Sequence, residues 1–357
     1  KQLKKLLLAE YWNLLVLDEI HRIKSARGKT SLLFAEIGPH AFRRVGLTGT
    51  AMPHSPLDVF GQFRALEPSI YGRSYTRFRS RHAVMGGYHV NGKPVQVLGY
   101  QNMADFHRKF YSITDRVKKQ DVLKELPEQV HQYRTVDLSA QAMRAYRELA
   151  DQFQAQIADG KISAQNAMVK VTRLQQITSG FAVVGDDDDE KRTVDLDLGK
   201  FRALVELLRD DLSASEPVVV FAKFARDIDN IHAAAEKAGR RCDELSGRRK
   251  DFTAYWQANP NPEGMAPVAA VQIQSGGTGI DLTAASTSIY YSQTYSLGDF
   301  DQSLARLHRP GQRRDVNYIH LLANGTIDFE IYDALQRRAD VIERVLDGSA
   351  LEGRIAV

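Results

Sequence analysis

The sequence predicts an α/β protein with parallel β-sheets, and three apolar runs are the basis of this prediction. The runs are short, rich in leucine or β-branched residues, and lie among stretches with helical spacing; they are Leu14–Leu17, Pro217–Phe224 and Val316–Leu322. Continuous apolar runs of this length are typical of strands that are buried on both faces in a parallel sheet. At 357 residues the chain is long enough for about two such domains.

Composition limits the classes of protein to consider. The chain is 43% hydrophobic and 26% charged, which is an ordinary balance for a globular protein. A single cysteine, Cys242, excludes an internal disulfide framework and fits a reducing compartment. No apolar run approaches the roughly 20 residues of a membrane span, and no signal-peptide pattern opens the chain. We therefore expect no membrane partner and a cytoplasmic protein of a bacterial or phage-infected cell, or a nuclear one if the source is eukaryotic.

The net charge indicates a polyanionic partner only weakly. The chain has a formal net charge of +4 and a pI near 9.0, but Lys and Arg exceed Asp and Glu only by 48 to 44. Such a balance permits nucleic-acid binding without demonstrating it.

The first strand ends in the acidic tetrapeptide Asp18-Glu19-Ile20-His21. Open α/β sheets bind ligands at the carboxyl edge of their strands, where this tetrapeptide is expected. Asp18 could hold Mg²⁺ directly or through water, and Glu19 could orient and deprotonate an attacking water. The alternative is an acidic pair that merely caps the next helix. On the tetrapeptide alone the two interpretations have similar weight.

A second strand is predicted to end at Leu47, before the turn Thr48-Gly49-Thr50. Its small residues allow close backbone approach, and its hydroxyls can hydrogen-bond to neighbouring polar groups. A helix-like stretch, Ser31–Glu36, separates the two strands. By itself this tripeptide is a common turn.

The middle of the chain predicts an edge strand, a helix and a linker. Val130–Leu138 alternates apolar and polar residues, as a half-exposed edge strand does. Ser139 is placed to cap a following helix. Residues 185–198 are rich in acidic residues and are interpreted as a solvated connection. From Gly199 a helix is expected with Phe201, Leu204, Val205 and Leu208 on one face.

Two later segments have the chemistry of phosphate binding. Residues 271–274 are predicted as a strand that leads into Ser275-Gly276-Gly277-Thr278-Gly279, where backbone N–H groups and two hydroxyls could approach phosphates. Arg306 and Arg309 follow Gln302 on one face of a helical turn that Pro310-Gly311 ends. Paired guanidiniums suit a polyphosphate and could act as arginine fingers. For each segment alone, an ordinary turn or a surface ion-pair helix would be the simpler interpretation.

Taken in order, these segments resemble the motifs of the Swi/Snf-type (Snf-two) ATPases of helicase superfamily two. Asp18–His21 resembles motif II, Leu47–Ala51 motif III, and Gln302–Gln312 motif VI. The strand at 217–224 resembles motif IV and the segment 271–282 resembles motif V. The resemblance implies two RecA-like lobes with parallel sheets, of which the first is incomplete. Residues 1–138 would be the C-terminal part of lobe 1 with a helical insertion at about 70–125, 139–198 a helical connection with an acidic linker, and 199–357 lobe 2.

The resemblance also implies roles for individual residues. Asp18 would bind magnesium, Glu19 would activate water, and Arg306 and Arg309 would reach the phosphates of an ATP molecule held between the lobes. ATP contact or coupling of lobe closure would fall to His21, Thr48, Gly49, Thr50, Gly279, Asp281 and Gln302. Nucleic-acid contact would fall to Lys223, Ser275, Gly276, Gly277 and Thr278. ATP and Mg²⁺ are thus the expected cofactors, and double-stranded DNA is the expected partner, along which the family translocates.

One motif of the family has no counterpart in the sequence. Gly28-Lys29-Thr30 lacks the upstream glycine spacing of a P-loop and follows motif II, where the fold cannot use it as Walker A. We therefore expect a Walker A segment in the same or a separate chain to complete the motor, and the 357 residues alone to be inactive. The alternatives are a catalytically inactive DNA-binding or regulatory module and an RNA-acting helicase of superfamily two. The segment His308–Gln312 and the Leu126–Gln129 block argue against the RNA helicase.

Overall fold

The computed structural model describes residues 2–90, 93–158, 164–184, 192–249, 265–274, 280–346 and 355–356. The chain divides into two compact units. The first unit comprises Lys1–Val117 with Ser296–Gly298 and Leu335–Val357, and the second comprises Lys118–Tyr295 with Asp299–Ala334. The predicted lobe boundaries at residues 138 and 198 stay predictions.

The first unit begins with a small parallel sheet. Its elements are α1 (Gln2–Ala9), β1 (Trp12–Leu17), α2 (Lys29–Ile37) and β2 (Ala41–Gly46). Strands β1 and β2 pair in parallel with Leu17 beside Gly46, and helix α2 connects them. The predicted strand, helix and strand are therefore confirmed.

The predicted burial of β1 is wrong. Leu14 is 53% exposed and Val16 is 50% exposed, and neighbouring Phe42 on β2 is 70% exposed. Parallel strands become buried when further strands and helices cover both faces. In the part of the chain that the structure describes, this sheet has only two strands, so the apolar side chains lack such cover.

The insertion of the first unit combines helices with a hairpin. Its elements are α3 (Val59–Leu66), α4 (Pro68–Tyr71), α5 (Tyr75–His82), β3 (Ala83–Val90), β4 (Lys93–Tyr100) and α6 (Met103–Phe110). Strand β4 pairs with β3 and with a short strand at Ile355–Ala356, both antiparallel. The sequence predicted helices here but not the hairpin, although Asn91-Gly92 between alternating apolar residues is a strong hairpin signal.

The second unit is organised around a six-stranded parallel sheet. The strands that follow β4 are β5 (Gln129–Val136), β6 (Phe181–Val184), β7 (Arg192–Asp195), β8 (Val218–Ala222), β9 (Cys242–Leu245), β10 (Val268–Gln272), β11 (Thr287–Tyr290) and β12 (Val316–Ala323), and Ile355–Ala356 is β13. The sheet order is β5-β12-β11-β8-β10-β9, with every pair parallel, while β6 and β7 form a separate antiparallel pair. The α/β prediction is confirmed, and β5 is an edge strand as expected.

The helices that follow α6 are α7 (Lys119–Val122), α8 (Ala140–Ala158), α9 (Ala164–Thr178), α10 (Gly199–Glu206), α11 (Ala225–Lys237), α12 (Leu297–Leu307) and α13 (Ile327–Leu346). Ser139 Oγ accepts a hydrogen bond from Ala142 N (3.3 Å), which confirms the predicted cap of α8. The central strand β8 is buried along its whole length, and Leu204 of α10 packs in the same core. Among the described residues, no helix is long and apolar enough to cross a membrane.

Candidate functional site

In the first unit, backbone hydrogen bonds hold the ends of β1 and β2 together. Leu47 N donates to Leu17 O (2.9 Å), and Ile20 N donates to Leu47 O (3.0 Å). The pairing thus continues past the last residues of both strands. It brings the segment Asp18–His21 next to the turn Thr48–Thr50, as the parallel arrangement of the two strands requires.

Glu19 has a left-handed backbone conformation, with φ 50° and ψ 48°. This region is uncommon for a residue with a Cβ, and residues held there tend to occur at functional sites. The Glu19 N–H donates to Asp18 Oδ1 (3.0 Å), so one oxygen of the Asp18 carboxylate is engaged locally. The Asp18 side chain is otherwise exposed at the strand end.

The buried side chain of His21 joins the two predicted motifs. His21 Nδ1 lies 2.8 Å from Thr48 Oγ1 and 3.1 Å from Glu19 Oε2. The nitrogen is hydrogen-bonded to the Thr48 hydroxyl, with the roles of donor and acceptor set by the tautomer, and lies within ion-pair distance of the Glu19 carboxylate. Thr48 Oγ1 also accepts from Thr50 N (3.1 Å). Glu19, His21, Thr48 and Thr50, all chosen from the sequence, are therefore linked by two hydrogen bonds and one ion-pair contact.

The surroundings of Gly49 within the unit leave room for a larger side chain. A Cβ added at Gly49 would meet no described atom within 4 Å. The turn is instead held by Gln62, a buried residue of α3 whose Nε2 donates to Ala51 O (2.6 Å). Sequence reasoning missed Gln62, because a single glutamine in a helix carries no distinguishing pattern.

In the second unit, tyrosines of the sheet fix the helix α12, which carries the predicted arginines. Tyr290 OH donates to Ser303 Oγ (2.6 Å), whose hydroxyl in turn donates to Phe300 O (2.6 Å). Tyr318 OH donates to Leu304 O (2.8 Å). These bonds set the rotation and position of the helix. Gln302, Arg306 and Arg309 are half-buried along it and just beyond its end.

His308 ties the end of α12 to the segment before β5. Its Nε2 donates to Pro127 O (2.8 Å), and its Nδ1 accepts from Gln129 Nε2 (2.8 Å). The ammonium of Lys119 donates to His308 O (3.4 Å). The position of Arg309 therefore depends on residues almost two hundred positions earlier in the sequence, which sequence reasoning did not identify.

Positive charge is concentrated around Lys119. Burial lowers the pKa of Lys119, and the charges of Arg309 and Arg306 lower it further against the attraction of Asp301. Burial raises the pKa of Asp301 to about 7, with Lys119 opposing the rise. Lys119, Asp301, Arg306 and Arg309 therefore form one group of interacting charges beside the end of α12.

Asp281 and Gln312 are engaged within the unit. Asp281 Oδ1 accepts from the Thr283 N–H (2.9 Å) and Oγ1 (2.7 Å). Burial opposes ionisation, but these bonds and the charge of Arg309 hold the pKa of Asp281 below its usual value. Gln312 Nε2 donates to Ala285 O (2.8 Å), and its Oε1 accepts from two following backbone N–H groups.

The predicted nucleic-acid residues fall largely outside the described part of the chain. Ser275, Gly276, Gly277, Thr278 and Gly279 lie in a range that the structure does not describe, and so does much of the acidic linker. Lys223 is half-buried, and its Nζ donates to Gln175 Oε1 (2.5 Å) and lies 5.2 Å from the ring centroid of Phe224. Burial lowers the pKa of Lys223. The role of these residues in binding nucleic acid stays a prediction.

Comparison with known protein families identifies the class to which the chain belongs. Residues 1–180 match the family described as SNF2-related domain, and residues 199–311 match the helicase conserved C-terminal domain. The chain belongs to the SNF2-related family of helicases. The resemblance drawn from motifs II, III and VI is therefore confirmed.

Individual relatives are similar to this chain at low sequence identity. The DNA annealing helicase and endonuclease ZRANB3 of Homo sapiens is 27% identical over 345 residues, which cover 96% of this chain and 30% of that protein. The helicase swr1 of Schizosaccharomyces pombe is 30% identical over 185 residues, covering 52% of this chain and 14% of the relative. The putative protein p41 of Acyrthosiphon pisum secondary endosymbiont phage 1 is 23% identical over 353 residues, which cover 93% of this chain and 72% of that protein. This chain spans about 30% of the length of ZRANB3.

Among solved structures, the Sulfolobus solfataricus SWI2/SNF2 ATPase core in complex with dsDNA is 20% identical in sequence. It superposes with a TM-score of 0.46 and covers 98% of this chain and 72% of the other.

Proposed function

We propose that residues 1–357 form part of a DNA-dependent ATPase of the Swi/Snf type, which couples ATP hydrolysis to movement along duplex DNA. Family membership supports a helicase-like motor, and the name of the relative ZRANB3 is that of a DNA helicase. The observation that carries the proposal is the position of His21, which is hydrogen-bonded to Thr48 and within ion-pair distance of Glu19. It links an acidic strand end to a second motif, as a nucleotide-hydrolysing site requires.

In this proposal Asp18 is the residue that holds Mg²⁺. Magnesium usually keeps several waters and binds through one or two carboxylates and the substrate phosphates. The exposed Asp18 carboxylate fits such a site, because only its Oδ1 is engaged, by the Glu19 N–H. The described residues include no group of three or more His, Cys, Asp or Glu that could hold a metal without a nucleotide. Bound Mg²⁺ would neutralise charge on the phosphates.

Glu19 is proposed as the general base that accepts a proton from the attacking water. Its carboxylate lies 3.1 Å from His21 Nδ1, the same nitrogen that is hydrogen-bonded to Thr48 Oγ1. A change at the turn Thr48–Thr50 would therefore reach Glu19 through one side chain. We propose that His21 couples the state of this turn to the position of the base.

Arg306 and Arg309 are proposed to act on the nucleotide phosphates, with Gln302, Gly279 and Asp281 assisting. The position of the arginines at the end of α12, beside the ammonium of Lys119, supports this role. Guanidinium groups fork onto phosphate oxygens and stabilise the charge of phosphoryl transfer. Duplex DNA would contact Lys223 and the turn Ser275–Thr278.

A P-loop segment outside these 357 residues, in the same or a separate chain, is proposed to complete the first unit. The exposed apolar side chains of the β1–β2 sheet support this proposal, because further parallel strands and helices would bury them. They include Leu14, Val16 and Phe42.

Glu19→Gln tests the proposed function in a polypeptide that joins residues 1–357 to a P-loop segment. The amide keeps the shape of the side chain but cannot accept the proton, so ATP binding should persist while turnover falls roughly 10²–10⁴-fold. Binding of a fluorescent ATP analogue and release of phosphate measure the two effects.

Glu148→Gln on the exposed surface of α8 is the matched control. Turnover of Glu19→Gln near that of the control would contradict the assignment of the base. If the joined protein itself bound ATP and DNA without hydrolysis, the chain would be the inactive DNA-binding module instead.

A further inference from the structure

The net positive charge of the chain comes from one segment. Residues 68–114 contain seven Lys and Arg and a single acidic residue, Asp105, which gives a net charge of +6. The rest of the chain has 41 basic and 43 acidic residues and a net charge of −2. The excess of positive charge in the whole molecule therefore comes from the insertion of the first unit, in which no site has been assigned.

Helix α5 and the residues just before it carry four of the seven basic residues. Arg77 and Arg81 are exposed one helical turn apart, and Arg73 is exposed just before the helix. Residues four apart lie on one face of a helix, about 6 Å apart along its axis. Within the described residues, neither Arg73 nor Arg77 has a carboxylate partner. The two guanidiniums are thus available to an external anion.

The single acidic residue cannot neutralise the remaining cations. The Asp105 carboxylate lies 3.0 Å from Arg81 Nε, 2.8 Å from Arg108 NH2 and 3.2 Å from Lys109 Nζ. One negative charge is therefore shared among three positive ones. The side chain of Arg108 is 78% exposed, so it extends the same basic surface onto α6.

An aromatic core makes this surface rigid. Phe78 of α5 packs against Phe60 (centroids 5.3 Å apart) and Tyr71 (5.0 Å), and Tyr71 OH donates to Phe106 O (2.9 Å) on α6. Burial lowers the pKa of His82 to about 4, so this inward residue adds no charge at neutral pH. The arginines consequently project from helices whose mutual positions are fixed.

We propose that this basic surface, formed by Arg73, Arg77, Arg81 and Arg108, binds the phosphate backbone of duplex DNA. The inference deepens the proposed function, on which it rests, by adding a DNA contact in the first unit to the one assigned to the second. It predicts that the insertion contributes to DNA affinity without reading base sequence, because phosphate contacts carry no base information.

The composition of the surface favours nucleic acid over an acidic protein. The exposed residues between Gly72 and Arg81 are glycine, arginine, serine and threonine, with no exposed apolar side chain among them. Protein interfaces need a dry core, usually rich in aromatic residues and methionine. Phosphate contacts need only cations, hydroxyls and N–H groups.

The double variant Arg73→Gln/Arg77→Gln tests the proposal on the chain as it is. Binding of a fluorescein-labelled duplex is measured by anisotropy at several salt concentrations, with circular dichroism as the folding control. Each phosphate contact contributes about −0.9 to the log–log salt slope, so the slope should become shallower by about 1.8. On the same relation, affinity at 0.15 M salt should fall roughly 30-fold.

Arg144→Gln/Arg147→Gln on the exposed surface of α8 is the matched control, since it removes the same charge from another helix. An equal loss in both double variants would reduce the effect to net charge and overturn the proposal. An unchanged slope in the Arg73/Arg77 variant would also overturn it, and if this variant then lost affinity for polyglutamate, the surface would be one for an acidic protein.

Two further outcomes are distinguishable. If the unaltered chain bound no duplex, the DNA-dependent function itself would fail, whereas a failure confined to the Arg73/Arg77 variant would leave that function intact. If the double variant did not fold, Arg108→Gln would carry the test with an expected change of about 0.9 in slope. An unchanged slope there would reject the surface.

Discussion

Glu19 shows how one backbone angle positions a candidate catalytic group. Among the described residues, only Glu19 and Asn102 combine a side chain with a positive φ. The left-handed conformation costs roughly 1–2 kcal/mol for such a residue. It turns the chain immediately after β1, so that Glu19 and Thr48 share the same imidazole nitrogen of His21. The strained backbone at Glu19 is consistent with a position where the carboxylate is needed for function.

Of the two arginines Arg306 and Arg309, Arg309 is the one whose loss should lower turnover more strongly. In the protein completed with a P-loop, Arg309→Ala should lower ATP turnover by roughly 10³–10⁵-fold if the guanidinium acts as a finger. Arg309→Lys should rescue poorly, because an ammonium lacks the planar fork. Steady-state turnover at saturating ATP separates this effect from binding.

Arg313→Ala, an exposed arginine four residues further on, is the control. A loss confined to ATP affinity would make Arg309 a ground-state binding residue. Near-normal turnover of Arg309→Ala would remove it from the catalytic group.

At the scale of elements, helix α3 packs directly against the segment that follows Glu19. A Cβ added at Gly61 would lie 2.1 Å from Ile23 O and 2.9 Å from Lys24 O, distances that the backbone cannot accommodate without moving. Gly61→Ala should therefore lower the free energy of unfolding by about 1–3 kcal/mol. Alanine has the higher helix propensity, by about 1 kcal/mol, so any destabilisation reports the steric conflict.

Gly49→Ala is the matched control for this stability measurement, since its added Cβ meets no described atom within 4 Å. Urea unfolding followed by circular dichroism compares the two variants. Equal midpoints would show that α3 moves away freely and that its packing does not fix the segment after motif II.

The strands could be predicted from the local sequence pattern, but their burial and their pairing partners could not. The apolar run Leu14–Leu17 specified a strand, and its parallel partner followed from the second run. Its burial depends on strands and helices beyond the two that the structure describes, so the pattern overstated it. The alternation in β5 predicted an edge strand, but nothing local shows that the strand pairs with β12, almost two hundred residues later.

The same division holds for the candidate site. The sequence placed Asp18–His21 and Thr48–Thr50 after two predicted strands, and parallel strands present their carboxyl ends at one edge. It did not show that His21 would contact both Glu19 and Thr48. His308 and Lys119 could not be predicted as partners, since neither has a spacing that distinguishes it from other polar residues. The basic segment 68–114 was detectable in the sequence, but only by counting charge locally.

At the scale of the whole molecule, charge and candidate chemistry are distributed differently. The acidic residues and the histidine of motif II and the turn of motif III lie in the first unit, and the arginines of motif VI lie in the second. The net positive charge belongs to the insertion of the first unit, whereas the rest of the chain is nearly neutral. In the proposed function, residues of both units act on the nucleotide, and each unit contributes a DNA contact.

The most direct test of the central claim is ATP hydrolysis measured with and without duplex DNA, for residues 1–357 alone and for the same residues joined to a P-loop segment. We predict negligible turnover for the 357 residues alone, because the phosphate cradle and its lysine are absent from their sequence. The joined protein should hydrolyse ATP and be stimulated by duplex DNA. Robust DNA-stimulated turnover by residues 1–357 alone, or none in a folded joined protein, would contradict the account.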